Sequence, residues 1–504
     1  MIRSGLQLTL HGCDGSFTEQ FSFWRLGSLM KSFRSPLIRH PFLFAGIAII
    51  LHLIFQAAGM PQTALSATTK RTPATTRARA PKTMTRLLVA KPESVGMSSE
   101  RLAHIDTVVL QAIAHHEAPG AVVLIGHKGR IVFRKPYGNR SVEPTIQPME
   151  VSTIFDMASV TKVVATATSM MILLEQGAYR LDDPVSKYLP EFAAPPRESS
   201  DKAAPAGPTQ QPKGSAEAPT WDPRDKSKIT IRQLMTHFSG LKPDFNLAEK
   251  WSGYDEAIRH LKDEILQSAP GTKFVYSDLN YIALGEIVHN LSGMPLDVFA
   301  RKNIFEPLGM HDTSFNPGPE LRPHIAPTEK RPATEAYLGG KEKDSPADQI
   351  IQGEVHDPTA WRMGGVAGHA GLFSTADDLV AYCQMILNKG EFGGKRILSP
   401  LGVKTMISDQ VPQSLAPEAA AHFRVARGLG WDMASSYSSN RGDFFPPNSI
   451  GHTGFTGTDL WIDPSTQTFV IVLTNRVHPN GKGNVNALRS KIATVVAASI
   501  LELK

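Results

Sequence analysis

The sequence predicts an α+β protein: one antiparallel sheet built from N- and C-terminal segments and flanked by helices, with a mostly helical domain inserted between them. Three observations carry this reading. Ala121–Gly126 and Arg130–Phe133 flank a Lys128-Gly129 turn, the pattern of a β-hairpin. Apolar, strand-like runs return near the other end at Asp459–Ile462 and Thr468–Thr474. Between them, from Val160 to about Leu308, the patterning is mostly helical. A sheet closed by both ends of the chain around a helical insertion places a cleft at their boundary.

In chain order, residues 1–66 read as an N-terminal extension with an export signal or membrane anchor. An apolar run from Phe42 to Gly59 follows Lys31, Arg34, Arg39 and His40, and small residues at 57–59 and 64–67 suit a signal peptidase. The run nearly matches the length that spans a bilayer, so an uncleaved anchor competes with a cleaved signal. Met30 offers an alternative start. The expected location is outside the cytoplasm: periplasmic, extracellular, or held on the outer side of the inner membrane. Residues 67–90, rich in Thr, Ala, Pro and Arg, read as a disordered tether.

The domain proper is expected over 91–504. Ser98-Ser99-Glu100 opens a helix whose face is Leu102, Ile105, Val109, Ala112 and Ile113. The hairpin follows, then the helical region, interrupted by a Pro-, Ala- and Ser-rich stretch at 194–228 that reads as a disordered insertion. A last helix runs from about Val485 to Leu501.

Charge and cysteine content exclude several functions. Of 504 residues, 41% are apolar and 20% charged, enough for a packed core. The net charge of +6 is misleading: residues 1–90 hold eleven Lys and Arg against two acids, and the remainder holds 42 against 45. The folded part is therefore mildly acidic, with no basic patch interleaved with aromatics, so nucleic acid is not the expected partner. The two cysteines, Cys13 and Cys383, form no CxxC and no thiolate metal site. Cys383 sits on an apolar helix and reads as a buried small residue rather than a nucleophile.

No GxSxG, HExxH or phosphate-loop motif is present. Four Ser-x-x-Lys tetrads are, beginning at Ser28, Ser159, Ser199 and Ser239. Ser159 alone follows a strand-like approach, Ile154–Ala158, and opens a long helix over Val160–Glu175. Three residues apart on a helix, Ser159 and Lys162 share a face, so the nitrogen reaches the hydroxyl that needs activating. Backbone N–H groups at a helix start can also stabilise a developing oxyanion. Tyr276-Ser277-Asp278 places a phenol before a helix, where a lowered pKa would suit a general base; Tyr137-Gly138-Asn139 reads as structural. His452-Thr453-Gly454 falls where a strand begins, with glycine allowing close approach to a ligand.

Ser159-Val160-Thr161-Lys162, Tyr276-Ser277-Asp278 and His452-Thr453-Gly454, in that order, resemble the serine β-lactamase and penicillin-binding protein superfamily, in its class C-like branch. The stretches Leu234–Leu241, Leu181–Val185 and Gly364–Ser374 add to the likeness, which covers about 91–500 and is greatest to penicillin-binding protein 4B-type hydrolases. The resemblance implies a β-lactamase/DD-peptidase-like fold, Ser159 as acylated nucleophile and Lys162 as its proton partner. It implies Tyr276 as general base and then acid to the leaving group. The oxyanion hole would be the N–H groups of Ser159 and Phe455, and Asp278, His452, Thr453 and Gly454 would bind substrate. No metal or organic cofactor is implied.

Two departures from the family pattern shape the expected reaction. Asp278 stands where most relatives carry Asn, and His452 where many β-lactamases carry Lys. An ionised carboxylate only accepts hydrogen bonds, so Asp278 should pair with Lys162 or receive a donor from the substrate. The expectation is therefore a DD-carboxypeptidase or esterase acting on cell-wall-like peptides or small esters, with β-lactams as slow acylating agents. The alternatives are a class C-like β-lactamase and a non-catalytic penicillin-binding sensor. A metallohydrolase built on Glu354, His356, Asp357 and His369 is the competing chemistry, with structural roles for the four favoured.

Overall fold

The computed structural model describes residues 86–193, 221–331, 349–412 and 424–503. The export segment, most of the tether, residues 194–220 of the insertion, Cys13, Ser28 and Ser199 lie outside the described residues.

The hairpin forms as β1 (Gly120–His127) and β2 (Arg130–Ser141), with β3 (Gln147–Pro148) on its outer edge. A second, smaller sheet holds β4 (Phe155–Asp156), β5 (Ser314–Phe315) and β6 (Leu372–Ser374) in the order β4-β6-β5. A short hairpin joins β7 (Glu391–Phe392) to β8 (Lys395–Arg396). The C-terminal part supplies β9 (Ala426–Arg427), β10 (Asp432–Ala434), β11 (Ile450–Thr453), β12 (Asp459–Asp463) and β13 (Thr468–Thr474). The main sheet is antiparallel, in the order β3-β2-β1-β13-β12-β11-β10-β9. Ala121 pairs with Thr474 and His127 with Thr468, so the two ends of the domain meet at its centre.

Strands β1 and β13 are buried on both faces, and alternation divides their side chains between two cores. Ala121, Val123, Ile125, Val470 and Val472 pack against α1 (His104–Ala114) and the C-terminal helix. Val122, Leu124, Phe469, Ile471 and Leu473 face the larger core under the helical region. That region contains α2 (Thr168–Glu175), α3 (Ile231–Thr236), α4 (Tyr254–Asp263) and α5 (Asp278–Ser292), and α6 (Ala376–Leu387), later in the chain, packs against β1 and β13. The chain closes on α7 (Asn486–Ala498).

Three boundaries differ from the sequence expectation. The folded part starts before residue 91, because Leu87 is buried and Val89 bridges Ile131 in the hairpin. The end of the supposed disordered insertion is packed: Trp221 lies against the core, and the buried Lys226 ammonium donates to the carbonyls of Lys262 and Glu264 at 2.6 and 2.9 Å. Burying an aromatic ring and an amine with its donors satisfied orders a segment that composition alone reads as a linker. The helix expected from Val160 to Glu175 is irregular, a 3-10 turn at Ala158–Val160 and a π segment at Lys162–Ala167 preceding α2.

Candidate active site

Ser159 is presented by a strained turn between β4 and its helix. Ala158 has a φ of 45°, a left-handed conformation that a side chain disfavours. The buried Asp156 carboxylate holds that turn, accepting the Ala158 N–H at 2.9 Å and the His356 N–H at 2.7 Å. From the next turn Lys162 reaches back, its Nζ donating to Ser159 Oγ at 2.9 Å. The π segment that begins at Lys162 widens the helix where this contact is made, a distortion that recurs at functional sites.

Lys162 is fully buried, and three oxygens lie within 2.9 Å of its Nζ. Besides Ser159 Oγ, these are the His369 carbonyl at 2.9 Å and the Asp278 carboxylate at 2.6 Å. Burial alone would lower its pKa, but the Asp278 charge and the Tyr276 phenol outweigh it and hold the amine above the ordinary lysine range. The resting side chain is an ammonium. Tyr276 interacts with both Ser159 and Lys162. Burial pushes its phenol up, against the downward pull of the Lys162 charge, so the net direction is upward and the hydroxyl is neutral. That reverses the lowered pKa expected from the sequence, because the cost of desolvating a phenolate exceeds what one neighbouring cation returns.

Asp278 begins α5, its N–H donating to the Pro243 carbonyl at 2.7 Å. The Tyr276 ring stacks on His237, with centroids 4.4 Å apart. His237 ends α3 in a left-handed conformation, φ 63°, and its Nδ1 accepts the Ser277 N–H at 3.1 Å. Burial holds this imidazole well below its usual pKa, so it is a neutral backing for the phenol.

His452-Thr453-Gly454 closes the other wall. It lies at the end of β11, not at the start of a strand, and Phe455 begins the turn into β12. A Cβ on Gly454 would sit 2.1 Å from Thr458 Oγ1 and 2.5 Å from the Met157 carbonyl, so only glycine lets β11 approach the Ser159 turn this closely. Thr456 and Thr458 hydroxyls bind the carbonyls of Asp156 and Met157 at 2.7 and 2.9 Å, fastening the two segments together. Ser159 and Phe455 consequently face one cleft. Burial pushes His452 well below its ordinary pKa. Its Nδ1–H donates to the Thr453 carbonyl at 2.9 Å, which leaves Nε2 a hydrogen-bond acceptor.

The cleft holds about 590 Å³. The sequence reading missed the cationic side chains on its walls, Arg427, Arg476, Lys482 and Arg489, and the aromatic Tyr437, which packs 5.0 Å from Tyr276. These residues come from separate segments, and no local motif joins them.

The competing candidates are structural. His369 pairs with Asp357 at 2.9 Å, but His356 pairs with Glu329 at 2.7 Å and Glu354 with Arg331 at 2.7 Å, so the four proposed metal ligands do not share one set of partners. No metal-ligating cluster of three or more His, Cys, Asp or Glu occurs among the described residues. Ser239 donates to Asn280 Oδ1 at 2.6 Å inside the core, and Tyr137 donates to Asp106 at 2.6 Å. Burial pushes the Cys383 thiol up, away from thiolate reactivity.

Residues 105–494 match the family model described as Beta-lactamase. The N-acetylmuramyl-L-alanine amidase of Bacillus subtilis is 33% identical over 408 residues, which are 77% of this chain and 84% of that protein. A protein of Escherichia coli provisionally named D-alanyl-D-alanine carboxypeptidase is 30% identical over 414 residues, 78% and 86% of the two chains. Among solved structures, EstCE1, a hydrolase with promiscuous acyltransferase activity, superposes with a TM-score of 0.58 at 21% identity, over 79% of this chain and 99% of that one. The octameric penicillin-binding protein homologue from Pyrococcus abyssi gives 0.54 at 22%, over 78% and 76%.

Proposed function

The chain belongs to the β-lactamase family of serine hydrolases, and from that premise we propose that it is a peptidase or esterase working through an acyl-enzyme on Ser159, with cell-wall-like peptides or small esters as acyl donors. The observation that carries this reading is the position of the Lys162 ammonium, 2.9 Å from Ser159 Oγ and 2.6 Å from the Asp278 carboxylate. As Ser159 Oγ attacks the acyl carbon, its proton passes to Lys162 while Lys162 yields one to Asp278. Lys162 stays an ammonium beside a now neutral carboxylic acid, and the negative charge moves to the acyl oxygen. The N–H groups of Ser159 and Phe455 are the donors assigned to that oxygen. Tyr276, a neutral phenol beside both groups, protonates the departing nitrogen or oxygen and recovers its proton from Asp278 through Lys162. Water then repeats the attack and Ser159 leaves.

The neutral His452 and the acceptor-only Asp278 disfavour efficient β-lactam hydrolysis. The names of the Bacillus and Escherichia relatives both refer to peptidoglycan bonds, which supports a cell-wall peptide over an unrelated ester and makes amide cleavage beside a muramyl group the second reading. The apolar Phe42–Gly59 segment behind its basic residues supports export or anchoring, where such a substrate is found.

The test is intact-mass analysis after reaction with penicillin or a fluorophosphonate, combined with turnover of D-Ala-D-Ala peptides, muramyl peptides, p-nitrophenyl acetate and cephalosporins. A single adduct on Ser159, abolished in Ser159→Ala, is expected. An adduct on Ser239 or Cys383 overturns the assignment, and a burst without turnover favours a sensor.

A further inference from the structure

Besides Ser159 Oγ, two oxygens hold the Lys162 ammonium; they belong to distant segments, and behind the lysine those segments are tied together. One is the His369 carbonyl, 2.9 Å from Nζ, on the loop 364–371. The other is the Asp278 carboxylate at 2.6 Å, at the start of α5. His369 is the one polar side chain on its loop, where Gly365 and Gly371 take left-handed φ values of 88° and 112°. A backbone that glycine leaves so free needs an outside anchor to aim a carbonyl.

That anchor is Asp357. Its carboxylate accepts the N–H of the buried His369 Nε2 at 2.9 Å and caps the short helix Pro358–Arg362, accepting the Ala360 N–H at 2.8 Å. From the same helix the Thr359 hydroxyl donates to the Asp244 carboxylate, 3.0 Å from Oδ2 and 3.1 Å from Oδ1. Asp244 follows Pro243, whose carbonyl accepts the Asp278 N–H at 2.7 Å. The path closes on itself, running from one oxygen on Nζ through the Asp357 helix to the other. One residue before Asp357, the His356 N–H binds Asp156, the carboxylate that holds the Ser159 turn, at 2.7 Å.

We propose that Asp357 and Thr359 are positioning residues for the Lys162 ammonium: through His369 on one side and Asp244 on the other, they fix the gap between the two oxygens that hold Nζ. The inference rests on the acyl-enzyme reading and adds to it two residues that touch neither the substrate nor the reacting atoms. Lysine carries its nitrogen on a flexible four-carbon stem, so the oxygens around Nζ decide where it rests. Proton transfer needs hydrogen-bond contact, so displacing Nζ from Ser159 Oγ costs rate and leaves substrate affinity alone.

The test follows acylation by p-nitrophenyl acetate in stopped flow, which separates the acylation rate constant from the substrate dissociation constant. Active sites are counted with a fluorophosphonate, so that a loss of folded protein does not register as a slower step. Asp357→Ala should slow acylation about 30-fold per active site at an unchanged dissociation constant. Asp357→Asn, whose amide oxygen still accepts from His369 and Ala360, should stay within about threefold of the parent protein. Thr359→Val should slow acylation in the same way, and Thr359→Ser should restore it. Asp106→Ala, which frees Tyr137 and Lys135 beside α1, should change the melting temperature alone. Asp357→Ala or Thr359→Val at the parent's rate per site, or an Asn variant as slow as the Ala variant, overturns the proposal, while ester turnover through Ser159 keeps the acyl-enzyme reading. If the parent protein forms no Ser159 adduct, that reading fails and urea midpoints decide the positioning role. Thr359→Val and Lys162→Met should then shift stability non-additively, and additive shifts overturn the proposal.

Discussion

Asp278→Asn separates the proton-relay chemistry from simple packing. The substitution keeps shape but deletes the negative charge 2.6 Å from the Lys162 ammonium, leaving it only neutral oxygens: Ser159 Oγ, the His369 carbonyl and the amide that replaces the carboxylate. Breaking a buried pair by removing one partner costs about 3–5 kcal/mol. Asp278 is 22% exposed at its side chain, so the lower end, about 3 kcal/mol, applies. Losing that charge should also lower the Lys162 pKa from its raised position. Two consequences differ in sign. Because the raised lysine pKa stabilises the fold below the unfolded lysine value and is lost as pH rises through the folded one, the variant should be less stable at neutral pH. A shift in urea midpoint at unchanged slope checks this. The relay also loses its proton acceptor, so acylation must wait for a deprotonated Lys162. Single-turnover acylation at pH 7 should drop about 100-fold. It should then climb about tenfold per pH unit until the lysine titrates, whereas the parent protein should be nearly flat over that range. A variant within threefold of the parent at pH 7, or one with a parallel profile, would refute the relay.

Gly454→Ala should lower kcat about 100-fold without unfolding the protein, since its methyl displaces β11 from the Ser159 turn; unchanged kinetics would show that the turn tolerates movement. Removing residues 194–220 should leave the melting temperature nearly unchanged, loop closure costing only about 0.6 kcal/mol per doubling. Extending the deletion to 228 removes Trp221 and Lys226 and should lower the melting temperature measurably, and equal melts would show these contacts to be idle. Burial pushes Asp459 up to about 7, with Arg489 and Asn440 pulling against it. Its folded form therefore holds a proton that the unfolded chain releases near pH 4, and its contribution to stability falls between about pH 4 and 7. Asp459→Asn should flatten that part of the stability curve, and an unaltered slope would place its origin elsewhere.

Elements that satisfy their own local rules were legible in the sequence. The β1–β2 hairpin and β13 announce themselves by apolar runs bounded by turns, and α1 by its cap and apolar face. Ser159 and Lys162 were legible for a similar reason, since three residues on one helix suffice to bring them together. What depends on distant partners was not. The direction of the Tyr276 shift follows from burial under His237 and Tyr437, and the packing of Lys226 from two carbonyls on another segment. The cationic wall is assembled by Arg476 and Lys482, which have no meaning until β13 and the segment after it fold beside Phe455. A strand end and a strand start look alike when glycines flank both, which is how His452 came to be expected on the wrong side of its strand.

The pairing of Ala121 with Thr474 has a consequence for how the molecule is made. Strand β1 emerges early in synthesis, yet the neighbour that covers one of its edges is among the last segments translated. Until then a largely apolar strand offers unpaired backbone groups to any passing chain, a hazard for aggregation. Contacts this distant in sequence also slow folding, because the loop between them must close before the pairing rewards it. The protein should therefore acquire its cleft late and all at once, and a chain truncated before β13 should have neither the central sheet nor a wall for Ser159 to face.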